Sequence, residues 1–277
     1  MSEKNLNKHK HDWVQMEIID DDDEPEIDIV PTSIETKVQP HKNRVNDKNK
    51  NKKTSQLEKW YSSDLNVVEM GIDEAGRGPM FGRVYAGVVV LPKDENAFDH
   101  SQMKDSKKFH SKKKIEQVAE YIKENAIAWA VEYEDEDVID NINILQATQS
   151  AMHKGIKKVI QQLEHTNNEN LLLLVDGNYF KPYTLLNSNK TKITTIPYHT
   201  IEGGDNKYTS IAAASILAKV ERDKYIDQLC IENPELIEHY GIDSNKGYGS
   251  KKHMDGIRLH GITKWHRKTF GICKNYC

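Results

Sequence analysis

The segment Met70-Gly71-Ile72-Asp73-Glu74-Ala75-Gly76-Arg77-Gly78-Pro79 follows Val67-Val68 and precedes a second apolar run, Val84 to Leu91. Its first part reads as a strand over 67–72, and two adjacent acids stand where that strand ends. A strand-to-strand turn needs no more than Asn-Gly or Asp-Gly. Two carboxylates beside a flexible, amide-rich loop suit a divalent cation next to a phosphate-bearing ligand. These ten residues leave both readings open, a solvent-facing turn or a site.

Outward from this segment the chain has two characters. Residues 1 to about 60 read as a disordered extension, and residues 61–277 as one folded domain that becomes helical from about 235. The extension carries an acidic run, Asp20 to Glu24, then Pro25, Pro31 and Pro40, then a basic, Asn-rich tract from His41 to Lys53. It has too few apolar residues to offset its ordering entropy. The basic tract is either a solvated tail or a nucleic-acid contact or import signal. The formal net charge is -4, so nucleic-acid binding has to rest on local basic clusters. Three cysteines, none in a CxxC pair, argue against a disulfide framework or a zinc site and for a reducing compartment, the cytoplasm, with a nuclear or viral-factory location also compatible. No apolar run is long enough to span a membrane, and no secretory leader is expected.

Within the domain, Val84 to Leu91 is apolar on both faces, as a central buried strand requires. A polar loop contains Asp105-Ser106-Lys107-Lys108. Ser111 caps a helix to about Asn125, Ala126 to Tyr133 is a strand, and 137–164 is a helix. The run Leu171 to Val175 ends at Asp176-Gly177, a second buried strand with an acid at its carboxyl end. Thr191 to Tyr198 reads as another strand. Gly203-Gly204-Asp205 opens an Ala-rich helix to about Gln228, with Asp205 at its N-cap or first turn. A short helix near 250–259 and a basic tail at His266-Arg267-Lys268 close the chain.

Asp73 and Glu74 therefore end one strand, Asp176 ends another, and Asp205 follows a third. In open α/β sheets ligands bind outside such ends. If the strands are neighbours, the acids converge and raise each other's pKa, which divalent cations relieve. Oxygen donors without Cys or His favour Mg²⁺ or Mn²⁺. Two such ions suit in-line displacement at phosphorus. The residues thus reach metal-dependent phosphodiester hydrolysis but no particular substrate.

The segments Gly71 to Pro79, Asp105 to Lys108, Asn143 to Thr148, Val175-Asp176-Gly177, Gly204-Asp205, Ser210 to Asp223, Lys246 to Gly249 and His266-Arg267 together resemble the type 2 ribonucleases H, most nearly the bacterial and archaeal ribonuclease HII. The resemblance covers roughly 66 to 270 and leaves out the extension. It implies a ribonuclease H-like α/β fold: a mixed five-stranded sheet flanked by helices, with a helical C-terminal portion. It implies endonucleolytic cutting of RNA in RNA–DNA hybrids and at single ribonucleotides in duplex DNA, leaving 5′-phosphate and 3′-hydroxyl ends. Its four metal-binding carboxylates map onto Asp73, Glu74, Asp176 and Asp205. Its junction-reading loop maps onto Gly76, Arg77 and Gly78, its sugar-stacking tyrosine onto Tyr248, and a phosphate-side lysine onto Lys107.

Ser215, Lys219 and Arg222 share one helical face, either to contact DNA backbone or to tie helix to sheet. Met80-Phe81 stands where Leu-Ala is commoner, so a bulkier loop is expected to change the grip on the junction. The form of Lys246-Gly247-Tyr248-Gly249 implies a monomer without obligatory partner chains, with the N-terminal arm free to contact a replication factor or nucleic acid. The alternatives are another nuclease of the same fold, resolvase- or transposase-like, or a non-catalytic hybrid-binding protein.

Overall fold

The structure, a computed structural model, describes residues 56–94, 96–163, 170–186 and 193–277. The extension expected to be disordered lies outside the described residues up to position 55. Residues 56–60, assigned to it by composition, are instead joined to the folded unit. Glu58 forms a parallel bridge with Tyr208, Leu57 packs on the core, and the Lys59 carbonyl accepts from Thr209 Oγ1 at 2.8 Å.

One mixed sheet has the order β3-β2-β1-β4-β7, built from β1 (Val68–Ala75), β2 (Val84–Val90), β3 (Ala128–Glu134), β4 (Leu171–Asp176) and β7 (Tyr198–Ile201). β1, β4 and β7 run parallel, whereas β2 and β3 are antiparallel to their neighbours. A small hairpin of β5 (Thr184–Leu186) and β6 (Ile193–Thr195) stands apart from it. The strand expected over 191–198 is therefore divided. Its described part gives β6 to the hairpin, Ile196-Pro197 intervene, and Tyr198 starts β7. Pro197 has no amide to donate, which suits it to a position between strands rather than inside one.

Strand alternation sorts the core into two layers. Met70, Ile72, Ala86 and Val88 face α2 (Glu136–Gln162), where Ala151, Met152, Ile156 and Val159 cover them. The opposite face takes α1 (Lys112–Asn125) and α3 (Thr209–Glu232), with Val89, Ile115, Val118, Ala212, Ala213 and Ile216 packed together. α1 begins where Ser111 accepts from the Lys114 amide, and α2 where Asp135 accepts from the Val138 amide. α2 is not the continuous helix expected. Asn143 sits at φ 65°, ψ 164°, and its side chain accepts from the Leu145 and Gln146 amides, capping a second helical segment. The C-terminal portion is helical as expected, with α4 (Glu235–Tyr240), α5 (Ile242–Asn245) and α6 (Lys251–His260).

Met80 and Phe81 add no exposed bulk to the loop that follows β1. Both are buried in the C-terminal cluster, where Phe81 packs edge-on against His266 and lies against Trp265. Their bulk fastens the loop to the C-terminal helices.

α3 approaches the sheet by backbone contact. A Cβ on Gly71 would lie 2.2 Å from the Ser210 carbonyl carbon, and one on Gly87 2.3 Å from the Ala214 carbonyl oxygen. Neither neighbour is a side chain that could swing away. Gly87→Ala is expected to destabilise the protein by about 2–4 kcal/mol, read as a lowered urea midpoint. An unchanged midpoint would mean that α3 sits farther from β2 than described.

Candidate active site

The β1–β4 register pairs Ile72 with Val175, so Asp73 and Asp176 leave adjacent parallel strands at the same level. Asp176 pairs with Ile201 on β7, and Asp205 follows four residues later in a short 3₁₀ turn, Gly204–Asn206. Asp205 does not cap α3, whose N-cap is Tyr208. The expected helix start at 203 is this separate turn. The four acids line one cleft of about 410 Å³, together with Gly76, Arg77, Gly78, Lys107, Ser215, Lys219 and Tyr248.

Burial pushes the Asp73 carboxyl well above its ordinary value, and repulsion from Glu74 and Asp176 adds to it. A hydrogen bond from the Ser215 hydroxyl and one from the Glu74 amide pull the other way. Glu74 is raised chiefly by burial and also by Asp176, against Arg77, which donates to its Oε1 at 3.2 Å. Asp205 is raised by burial, then by Asp105 and Asp176. Asp176 accepts from the Gly204 amide at 2.6 Å, which ties β4 to the turn carrying Asp205.

Three of the acids thus have pKa values raised from their ordinary ones, that of Asp73 well above, and Asp176 repels all three. Among the described residues, no three His, Cys, Asp or Glu side chains are gathered around one point as they lie. The donor chemistry nevertheless fits a hard divalent cation: oxygen donors, like charges and an open cleft.

Lys107 sits in a 3₁₀ turn capped by Asp105, and its charge lowers the pKa of both Glu74 and Asp205. Ser106 Oγ lies 3.0 Å from Ser215 Oγ, joining that turn to α3. Lys219 pairs with Asp223 at 2.9 Å. Arg222 ties α3 to the segment entering β2 and to the loop after α5, donating to the carbonyls of Phe81, Arg83 and Lys246. His266-Arg267 is no basic tail. Both side chains are buried, and Arg267 donates to carbonyls of the Gly76-Arg77-Gly78 loop. Charge alone gave no sign of this, since a buried and a solvated arginine read alike.

Tyr248 is half-exposed, and its ring stands 3.4 Å from where a Cβ on Gly78 would lie. Its loop hangs from a buried imidazole pair whose partners fix the tautomers. The Thr263 amide donates to His266 Nδ1 at 2.9 Å, so His266 donates through Nε2 to His253 Nε2 at 3.1 Å. His253 Nδ1 then donates to the Tyr248 carbonyl at 2.9 Å.

Carboxylates gathered at the carboxyl ends of parallel strands, in a mixed five-stranded sheet with helices on both faces, define a nuclease of the ribonuclease H-like class. A family model described as ribonuclease HII matches residues 70–273. Ribonuclease HII of Parabacteroides distasonis is 44% identical over 205 residues, which cover 74% of this chain and 90% of that protein. Two solved structures share the fold at low identity. One is the PCNA:RNase HII complex from Archaeoglobus fulgidus, with TM-score 0.54, 22% identity, and 74% of this chain and 96% of that one covered. The other is Bst-RNase HIII in complex with Mn²⁺, with TM-score 0.52, 15% identity and 70% of each chain covered. The chain belongs to the ribonuclease HII family, and it is an endonuclease that hydrolyses the RNA strand of RNA–DNA hybrids. The family is metal-dependent.

Burial and its neighbour His253 lower the His266 pKa from 6.5 to about 3. The folded state binds only the neutral ring, whereas the unfolded chain takes up a proton near 6.5. The stability that the pair contributes is present above that value and is lost as pH falls toward 3, on the order of 3–5 kcal/mol in all. Imidazole ¹⁵N NMR is expected to show His266 neutral and Nε2-protonated through the range where a free imidazole titrates. A His266 ring that titrates near 6.5 in the folded protein would refute the relay.

Proposed function

We propose that Asp73, Glu74, Asp176 and Asp205 are the catalytic carboxylates and together hold two divalent cations, Mg²⁺ or Mn²⁺. The observation that carries this is the single cleft in which all four acids meet the Gly76-Arg77-Gly78 loop, three of them with raised pKa values. Like charges brought so close favour a shared counter-cation. When bound, paired cations supply an activated water and stabilise the leaving oxygen at phosphorus. The protein's part is to hold Asp73, Glu74 and Asp176 at the ends of two adjacent strands and Asp205 in the turn after a third, and to keep Asp73 oriented through Ser215. To hold a cation Glu74 would have to give up Arg77, whose guanidinium would then be free for a charge-assisted contact to a phosphate.

The loop's backbone reads the 2′-hydroxyl, the group that separates RNA from DNA at one position. Gly78 has no Cβ to keep the main chain off the sugar, its Cβ position facing the Tyr248 ring, while Gly76, at φ 93°, lies where a Cβ would collide with Arg222. Tyr248 stacks on the deoxyribose that follows the ribonucleotide, and Lys107 neutralises backbone phosphate. The products carry 5′-phosphate and 3′-hydroxyl ends, and a single ribonucleotide in duplex DNA is a substrate. The enzyme works as a monomer in the cytoplasm, in removal of ribonucleotides during DNA replication. The Archaeoglobus fulgidus relative is solved as a complex with PCNA. The corresponding proposal here is that the N-terminal arm contacts a replication factor or nucleic acid.

The test is cleavage mapping on a DNA duplex with one ribonucleotide beside an all-DNA duplex, in Mg²⁺ and in Mn²⁺. Cutting is expected only at the ribonucleotide, and equal cutting of both duplexes refutes the reading. Asp73→Asn should lose at least about 10³-fold in kcat while binding stays within about threefold, because the basic contacts persist. Full activity in that variant would remove Asp73 from the metal site.

A further inference from the structure

Four carbonyls of the segment from Gly76 to Gly82 turn onto one buried guanidinium. Arg267 Nη2 donates to Gly76 at 2.7 Å, Nη1 to Arg77 at 3.1 Å and to Pro79 at 2.8 Å, and Nε to Gly82 at 2.8 Å. Arg267 is 0% exposed, and its main chain is fixed to the same segment: its amide donates to the Met80 carbonyl at 2.8 Å. Four of its five N–H groups are thus committed to one stretch of backbone.

Carbonyl direction decides amide direction. The described peptide bonds are trans and planar, so each C=O lies opposite the N–H of the next residue. With the Gly76 and Arg77 carbonyls aimed at Arg267, the Arg77 and Gly78 amides face the other way, while Gly76, Arg77 and Gly78 line the cleft with the acids. Among the described residues neither amide donates a hydrogen bond within the protein. The Met80 amide, farther along, donates to the Gly247 carbonyl at 2.9 Å.

A second guanidinium closes the other side. Arg222 Nε lies 2.2 Å from where a Cβ on Gly76 would sit, and Arg222 also holds the Phe81 and Arg83 carbonyls. Burial, with repulsion from Arg222, pushes the Arg267 pKa down to about 9, against Glu136 and Asp140, so the side chain remains a cation at neutral pH.

We propose that Arg267 is a positioning residue for the reaction: it sets the Gly76-Arg77-Gly78 loop with its free amides toward the cleft, so that discrimination of the 2′-hydroxyl depends on a side chain buried beneath the loop. This rests on the reading of that loop as the sugar sensor. Arginine suits the task because its planar fork presents five donors in fixed directions. A lysine ammonium has three donors on a point charge and cannot hold four carbonyls at once.

The test uses the full-length chain and the variant Arg267→Lys. Affinities for a one-ribonucleotide duplex and an all-DNA duplex are measured by fluorescence anisotropy without divalent cation, and kcat and KM are measured with Mg²⁺. Arg267→Lys is expected to bind the all-DNA duplex within about twofold of wild type, since phosphate contacts set that affinity. It should lose the preference for the ribonucleotide duplex and about 100-fold in kcat/KM. An intact preference in Arg267→Lys overturns the inference. Gly78→Ala separates it from the reading beneath it. If Gly78→Ala loses the preference while Arg267→Lys keeps it, the sensor stands and the role of Arg267 falls; if both keep it, the sensor reading falls as well. Should Arg267→Lys not fold, the wild-type protein decides. The Arg77 and Gly78 amide resonances should shift on adding the ribonucleotide duplex and not the all-DNA duplex, and two unmoved amides overturn the inference.

Discussion

The site depends first on how closely α3 lies on the sheet. Gly71 on β1 and Gly87 on β2 let the helix backbone from Ser210 to Ala214 approach where any side chain would collide. That approach sets the level of everything further along the helix. Ser215, the next residue, meets Asp73 and also touches Ser106, which fixes the turn carrying Lys107. One turn on, Lys219 lines the cleft. Two turns on, Arg222 reaches the backbone on both sides of the C-terminal junction. A side chain at Gly71 or Gly87 would push the helix outward and carry Ser215 away from the carboxylate at the strand end.

The charges are distributed with a similar economy. Two arginines are buried beside the acidic cleft, yet both are satisfied by main-chain carbonyls. A cation that paired with Asp73 or Asp176 would hold its carboxylate in the charged form and compete with any metal for its oxygens. Carbonyls offset the charge of Arg222 and Arg267 without touching the acids, which retain their mutual repulsion. Arg77 is the exception. It is exposed and bonded to Glu74, and an ion pair so open to solvent is weak enough to exchange its partner for a phosphate.

What the sequence disclosed follows from which signals are local. Central strands such as Val84 to Leu91 and Leu171 to Val175 are apolar runs with acids or glycines at their ends, and those ends told where Asp73, Glu74 and Asp176 would stand. β1 and β4 are neighbours, and the three acids line one cleft. Breaks were harder to see. The kink at Asn143 depends on one residue with φ of 65° inside an otherwise periodic helix. The split of the strand before Tyr198 depends on which sheet each half joins. Arg222 and Arg267 were invisible as buried cations because their partners are carbonyls, present at every position and silent in composition. The burial of Met80 and Phe81 was hidden for a related reason: loop position does not say which way a side chain turns.

The proposed sensor and the first proposed ligand are also neighbours in the chain. From Asp73 to Gly76 is three residues, at most about 10 Å of extended backbone. Asp73 is fixed by its ladder to β2 and follows a residue paired to β4, while the Gly76 carbonyl is fixed by Arg267. Both ends of this short span are held by structure that the substrate does not have to organise. A sugar hydroxyl seated on the loop amides would therefore set its phosphate at a defined distance from the carboxylates. If the loop were free, binding energy from the sugar would be spent in ordering it, and selection of the ribonucleotide would weaken together with the rate. The two buried arginines place that ordering in the fold itself.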